Sequence, residues 1–162
     1  MRGFSVSDAL RLAVSLALTL AAGFVGSIFT RKSVGAWYPT LKKPAFNPPA
    51  AVFGPVWTVL YLAMGLALFL VWRRWAADLR VRPALVLFSI QLVLNVLWSA
   101  AFFGARSPLA AAVVIVVLWA VILWTVLAFA RISHLAAGLL VPYIAWVSFA
   151  AILNFTIYFL NR

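Results

Sequence analysis

Residues 37–49, WYPTLKKPAFNPP, interrupt a chain that is otherwise almost continuously apolar. Pro39, Pro44, Pro48 and Pro49 lock φ and remove backbone donors, so the stretch is neither a helix nor a loose tether. It also carries Trp37, Tyr38, Phe46, Lys42 and Lys43, and no acidic residue. A plain connector between two hydrophobic segments needs none of these. The stretch reads as a rigid, aromatic, cationic cap, residues 31–49 in all, over one end of a bundle of helices.

Composition sets the solvent of that bundle. Of 162 residues 67% are hydrophobic and 9% are charged, where a soluble domain carries roughly a quarter charged residues. Too little polar surface is available to cover a water-soluble fold, so the bilayer is the expected environment, at about 20 apolar residues per span. Thirteen Lys and Arg oppose Asp8 and Asp78, for a net charge of +11. That balance suits anionic headgroups or an anionic ligand. Basic residues cluster at segment ends rather than along one stripe, so nucleic acid is not an expected partner. Cysteine is absent, which excludes disulfides and thiolate chemistry.

Working outward from the cap, five spans emerge, at about 8–30, 50–72, 83–104, 109–130 and 135–160. They form one domain over residues 1–162, an all-α membrane protein built as a five-transmembrane-helix bundle. The first apolar run outlasts the h-region of a signal peptide and is expected to be retained. Its Ala9, Ala13, Ala17 and Ala21 recur every fourth residue, a smooth stripe for close helix packing. Pro48, Pro49 and Pro55 fall before or within the first turns of the second span. The fourth, nearly all aliphatic, is expected to be scaffold. Arg2, Arg11, Arg73, Arg74, Arg80, Arg82 and Arg131 fall on the N-terminal side, and Arg31, Lys32, Lys42, Lys43, Arg106 and Arg162 on the other. This near balance sets no orientation by the positive-inside rule.

Three faces carry the chemistry. Trp57 and Tyr61 are one helical turn apart on the second span. Gln91, Asn95, Trp98 and Phe102 follow at spacings of four, three and four, which is one face of the third span. Amides at that depth are costly in lipid, so this face turns inward, either as glue between helices or as ligand contact. Tyr143, Trp146, Ala150 and Asn154 share a face of the fifth span, beside a bend expected at Pro142. No buried acid–base pair, phosphate loop or metal cluster is legible, and His134, placed in a turn, is a lone imidazole. What remains is flat aromatic area with polar edges and a cationic rim of Arg31, Lys32, Lys42 and Lys43. That combination fits a large, flat, apolar molecule with acidic appendages, such as a tetrapyrrole. With no mid-membrane histidine and no cysteine to ligate iron, metal-free porphyrin fits as well as haem, and no tightly bound cofactor is expected.

WYPTLKKPAFNPP, GPVWTVLY, QLVLNVLWSAAFFG, VPYIAWVSFA and LNF, in that order along nearly the whole chain, resemble the tryptophan-rich sensory protein/translocator protein (TspO/MBR) family, also termed peripheral benzodiazepine receptor-like. The resemblance implies a five-helix membrane bundle, commonly a homodimer, that binds porphyrins and, in some members, sterols and benzodiazepine-type drugs. It implies ligand contacts at Tyr38, Trp57, Asn95, Tyr143 and Trp146. Trp57 and Trp146 correspond to tryptophans implicated in light-dependent porphyrin breakdown by bacterial members, which would make porphyrin a substrate. One position departs from the family pattern K-P-x-W-x-P-P: Phe46 replaces its tryptophan, and with it an indole donor. Together with Trp37, Phe46, Tyr61, Gln91, Trp98 and Asn154 from the spacing above, these residues make up the expected ligand site. Leu153, Tyr158 and Arg162 fit the loose sterol pattern L/V-x-Y-x-K/R.

Overall fold

The computed structural model describes residues 5–162; Arg2 lies outside them. Among the described residues there is no strand, and five helices are long and apolar enough to cross a membrane. They are α1 (Val6–Val34), α2 (Ala50–Trp72), α3 (Val81–Ser99), α4 (Pro108–Ala130) and α5 (His134–Leu160). A five-residue π-helical turn, Ala100–Gly104, extends α3, and one 3₁₀ turn, Tyr38–Thr40, interrupts the cap. The protein is an integral, multi-pass membrane protein.

Local chemistry explains where the helices begin. Ser5 and Asp8 form a capping box, each side chain serving the other's backbone N–H, so α1 starts two residues before the expected span. Ser107 and Ser133 cap α4 and α5 through the N–H groups of Ala110 and Ala136. His134 is therefore the first residue of α5 rather than part of a turn. At its far end α1 runs on to Val34, which shortens the cap to residues 35–49. Pro55 and Pro142 both lie inside helices that continue past them.

The helices close a ring in the order α1, α2, α5, α4, α3. Its core is apolar: Met64, Phe88, Ile115, Phe129, Leu140 and Val147 are all buried, and Phe88 stacks on Phe129 at 5.7 Å. The outside is apolar too. Val113, Trp124 and Ile152 are each at least 60% exposed, which water would penalise and acyl chains do not. Both carboxylates are paired at the end away from the cap. Asp8 meets Arg73 and Arg11 at 3.6 and 3.8 Å. Asp78 meets Arg80 at 2.9 Å, and the hydrogen bonds from that guanidinium hold its carboxyl below the usual carboxylate range.

The alanine stripe of α1 does not pack inside the bundle. Ala9, Ala13, Ala17 and Ala21 are exposed, while Ser15, Thr19, Gly26 and Ser33 are buried. The reason lies in the partner helix. Gly65 brings α2 so close that a β-carbon there would meet Leu16 Cδ2 at 2.8 Å and Thr19 Oγ1 at 2.9 Å. Thr19 suits that contact because its hydroxyl folds back onto the carbonyls of Ser15 and Leu16, each at 3.2 Å. Gly65→Ala should therefore cost about 1–3 kcal/mol through overpacking, seen as a lower melting temperature in detergent. Gly138→Ala, where nothing lies within 4 Å of the new methyl, should leave melting unchanged or raise it slightly.

Candidate functional site

Beneath the cap the ring encloses a cavity of about 640 Å³, bounded by α1, α2, α5, the end of α3 and its π-turn. Each wall has a local cause. On α2, Trp57 stacks on Tyr61 at 5.5 Å with 28° between the planes. Tyr61 lies flat against α1 because Gly23 has no side chain; a β-carbon there would sit 2.6 Å from the ring. On α3, the π-turn widens the helix by one residue, closed by a 2.7 Å bond from Ala105 N–H to the Ala100 carbonyl. Phe102 and Phe103 consequently both reach the cavity, with ring centroids 4.8 Å apart. On α5, Trp146 packs between Phe149 at 5.6 Å and Phe53 of α2 at 6.0 Å.

Of the expected ligand residues, Tyr38, Trp57, Tyr61, Trp98, Trp146 and Asn154 line this cavity. Gln91, Asn95 and Tyr143 do not. They stand directly behind the wall, each at most 1% exposed. Tyr61 donates to Asn95 Oδ1 at 2.5 Å, Asn95 Nδ2 donates to the Tyr143 hydroxyl at 3.1 Å, and that hydroxyl donates to Gln91 Oε1 at 2.9 Å. The inward face of α3 is thus helix glue at Gln91 and Asn95, and cavity wall only from Trp98 onward. In this network Gln91 Nε2 is left without a partner. Lower down the same face, Trp98 Nε1 donates to Asn154 Oδ1 at 3.0 Å, and Asn154 Nδ2 to the Pro108 carbonyl at 2.8 Å.

Trp37 and Phe46 also stand off the cavity. Trp37 packs edge-on against Phe102 at 5.7 Å, and Phe46, half exposed, against Phe149 at 6.3 Å. They brace the aromatic wall from outside. The cationic rim shrinks as well. Lys43 spends its ammonium on the carbonyls of Tyr38, Pro39 and Leu41, at 2.9, 3.2 and 2.7 Å. Arg31 is the one basic side chain among the cavity's lining residues. In the sterol pattern, Leu153 lines the cavity, whereas Arg162 is exposed over the Phe159 ring at 4.8 Å. Leu153 and Tyr158, five residues apart, point about 140° from each other around the helix.

Most polar groups in the wall are already satisfied. The Tyr38 hydroxyl donates to Asn47 Oδ1 at 2.6 Å, and burial pushes its phenol above the usual range although the Asn47 bond pulls it back. It therefore remains a neutral donor at physiological pH. Among the lining side chains the Arg31 guanidinium, with no ion pair among the described residues, the Trp57 Nε1–H, the Ser99 hydroxyl and the Trp146 Nε1–H are left uncommitted, and of these the Trp146 donor is buried with no acceptor. No carboxylate or imidazole lines the cavity.

Fold and site together define a five-span membrane protein with an aromatic chamber beneath a proline-stiffened cap. The model of the TspO/MBR family matches residues 15–160. A tryptophan-rich protein TspO of Chlorobaculum tepidum is 54% identical over 152 residues, covering 94% of this chain and 96% of its own. One from Archaeoglobus fulgidus is 44% identical over 154 residues, 94% and 97% of the two chains. The human translocator protein is 40% identical over 137 residues, 83% of this chain and 80% of that one. The chain belongs to the TspO/MBR family.

Because Asn95 is buried behind Tyr61, its loss should register as instability before it registers as lost ligand. Asn95→Ala strands the Tyr61 hydroxyl and removes a donor to Tyr143, at a cost of about 1–3 kcal/mol. Thermal unfolding in detergent should show the full drop. Tyr61→Phe, which strands only Asn95 Oδ1, should show a smaller one.

Proposed function

We propose that this protein binds tetrapyrroles of the protoporphyrin type in the capped cavity, as a sensor or carrier of porphyrins in the membrane. The observation that carries the reading is the cavity itself: about 640 Å³, walled by Trp57, Tyr61, Trp98, Phe102 and Trp146, with Arg31 at its margin. The volume lies within the usual range for small-molecule sites. Flat rings favour a flat apolar macrocycle by offset and edge-on stacking. Arg31 supplies charge for a propionate, and Trp146 Nε1–H supplies a donor inside. The names of relatives, translocator protein and tryptophan-rich sensory protein, accord with a ligand-handling role. Haem fits best as a stacked ring, since no histidine, cysteine or methionine lines the cavity to ligate its iron and the lining tyrosines, Tyr38 and Tyr61, spend their hydroxyls on Asn47 and Asn95. Sterols and benzodiazepine-type compounds remain candidate alternative ligands of the same chamber. The exposed alanine stripe of α1 is the surface we assign to a second copy in a homodimer.

A second reading treats porphyrin as a substrate. Trp57 and Trp146 both line the cavity, so either indole is placed to give an electron to a light-excited ring. A structural or assembly role is the third reading, and an aromatic cavity of about 640 Å³ argues against it.

Titrating the detergent-purified protein with protoporphyrin in darkness should quench tryptophan fluorescence saturably. Trp57→Ala and Trp146→Ala should each weaken binding by about tenfold or more. Saturable binding untouched by both substitutions would overturn the proposed site. Illuminating the complex then separates the first two readings. A protein-dependent absorbing product that Trp146→Phe abolishes while sparing binding means degradation, and an unchanged spectrum means binding alone.

A further inference from the structure

The cap is held together from within. Lys43 gathers three of its carbonyls, Tyr38 bonds Asn47, and Asn47 Nδ2 bonds the Pro48 carbonyl at 3.1 Å. Toward the helices it leans on aromatic contacts, Trp37 and Tyr38 on the π-turn and Phe46 on α5. Among the described residues, a single side chain hydrogen-bonds it to a helix distant in sequence. Asn161, just past the end of α5, accepts from Lys42 N–H at 2.9 Å and donates to the Lys42 carbonyl, also at 2.9 Å. Its Nδ2 donates as well to the Ile157 carbonyl at 2.8 Å, which fixes the amide plane on the last turn of α5. One carboxamide thereby pairs with both backbone groups of one residue, 119 positions away, as a neighbouring strand would.

We infer that Asn161 is a latch: its carboxamide holds the cap shut over the cavity and so sets how fast a ligand enters and leaves. Neither Asn161 nor Lys42 lines the cavity, and the latch meets its wall only at the backbone carbonyl of Ile157. Both partners are exposed, so water can replace these bonds once they break, and the remaining cost of opening is the aromatic contact of Trp37, Tyr38 and Phe46. The aromatic contacts can part as a unit, because the bonds within the cap keep its shape while it moves. Opening of such an element changes entry and exit alike and leaves equilibrium affinity nearly fixed.

The inference rests on the porphyrin reading only for its kinetic probe. In the full-length protein in nanodiscs, stopped-flow quenching by protoporphyrin should show both association and dissociation about tenfold faster in Asn161→Ala, for two lost hydrogen bonds. Asn161→Asp keeps the shape and the acceptor but turns a carboxylate oxygen toward two carbonyls, so it should be as fast as Asn161→Ala. Hydrogen exchange across residues 37–49 should accelerate in both variants, with the melting temperature unchanged. Unaltered rates in both variants would overturn the latch and point to entry between helices. A fall in affinity that parallels a fall in melting temperature would also overturn it, as a purely structural role. If the wild-type protein binds no porphyrin, the ligand reading fails, and exchange across the cap still decides whether Asn161 holds it closed.

Discussion

The bundle depends on a chain of hydrogen bonds buried in its centre. Tyr61, Asn95, Tyr143 and Gln91 run from α2 through α3 to α5 and back to α3, each hydroxyl or amide donating to the next. In lipid an unpaired amide has no water to fall back on, so these groups pair with one another or pay heavily. Apolar packing alone gives helices in a bilayer little preference between one rotation and another. The polar chain removes that freedom, because only one rotation of the three helices brings all four groups within reach. Rotating α2 to satisfy Asn95 also lays Tyr61 against Gly23 and turns Trp57, stacked on Tyr61 one turn along the same helix, into the cavity wall. The cavity wall follows from the same constraint.

The π-turn at the end of α3 does the comparable job near the cap. An ordinary helix would separate Phe102 from Phe103 by about 100°. With the extra residue, both reach the cavity and both touch Tyr38. The turn also carries the chain into Arg106, the one non-glycine residue with positive φ among the described residues, at 52°. From there Ser107 restarts the backbone as the cap of α4. Aromatic wall and cap anchor are thus built from one local irregularity.

The sequence told most about what lipid enforces. Five spans, an inward amide face on α3 and a stiff cap were legible because apolar length, the cost of a buried amide and the geometry of proline act locally. The sides of the helices were less legible. Alanine every fourth residue is compatible with a bundle interior or with lipid, and only the approach of Gly65 to Leu16 and Thr19 decides which face of α1 turns in. Gln91 and Asn95 were read correctly as inward, yet whether an inward amide meets a ligand or a tyrosine depends on residues 34 to 52 positions away. The π-turn left no signal strong enough to read. Ser5 and Asp8 did leave one, a capping box in plain spacing. Asn161 had none, since a lone asparagine at a helix end looks like any C-terminal cap.

What the cavity can do is bounded by how its polar groups are used. Trp98 is committed to Asn154, Asn154 to the Pro108 carbonyl and Tyr38 to the Asn47 side chain, and they keep the walls rigid. A wall held by its own hydrogen bonds loses little entropy when a flat ligand stacks on it. Under the proposed reading the uncommitted donors of Arg31, Trp57, Ser99 and Trp146 select among apolar ligands for an anion and for acceptors. No carboxylate or imidazole lines the described walls to move a proton, and what they present is stacking surface with uncommitted donors. Preorganised aromatic surface of that kind is what the proposed role of holding a flat ligand asks for.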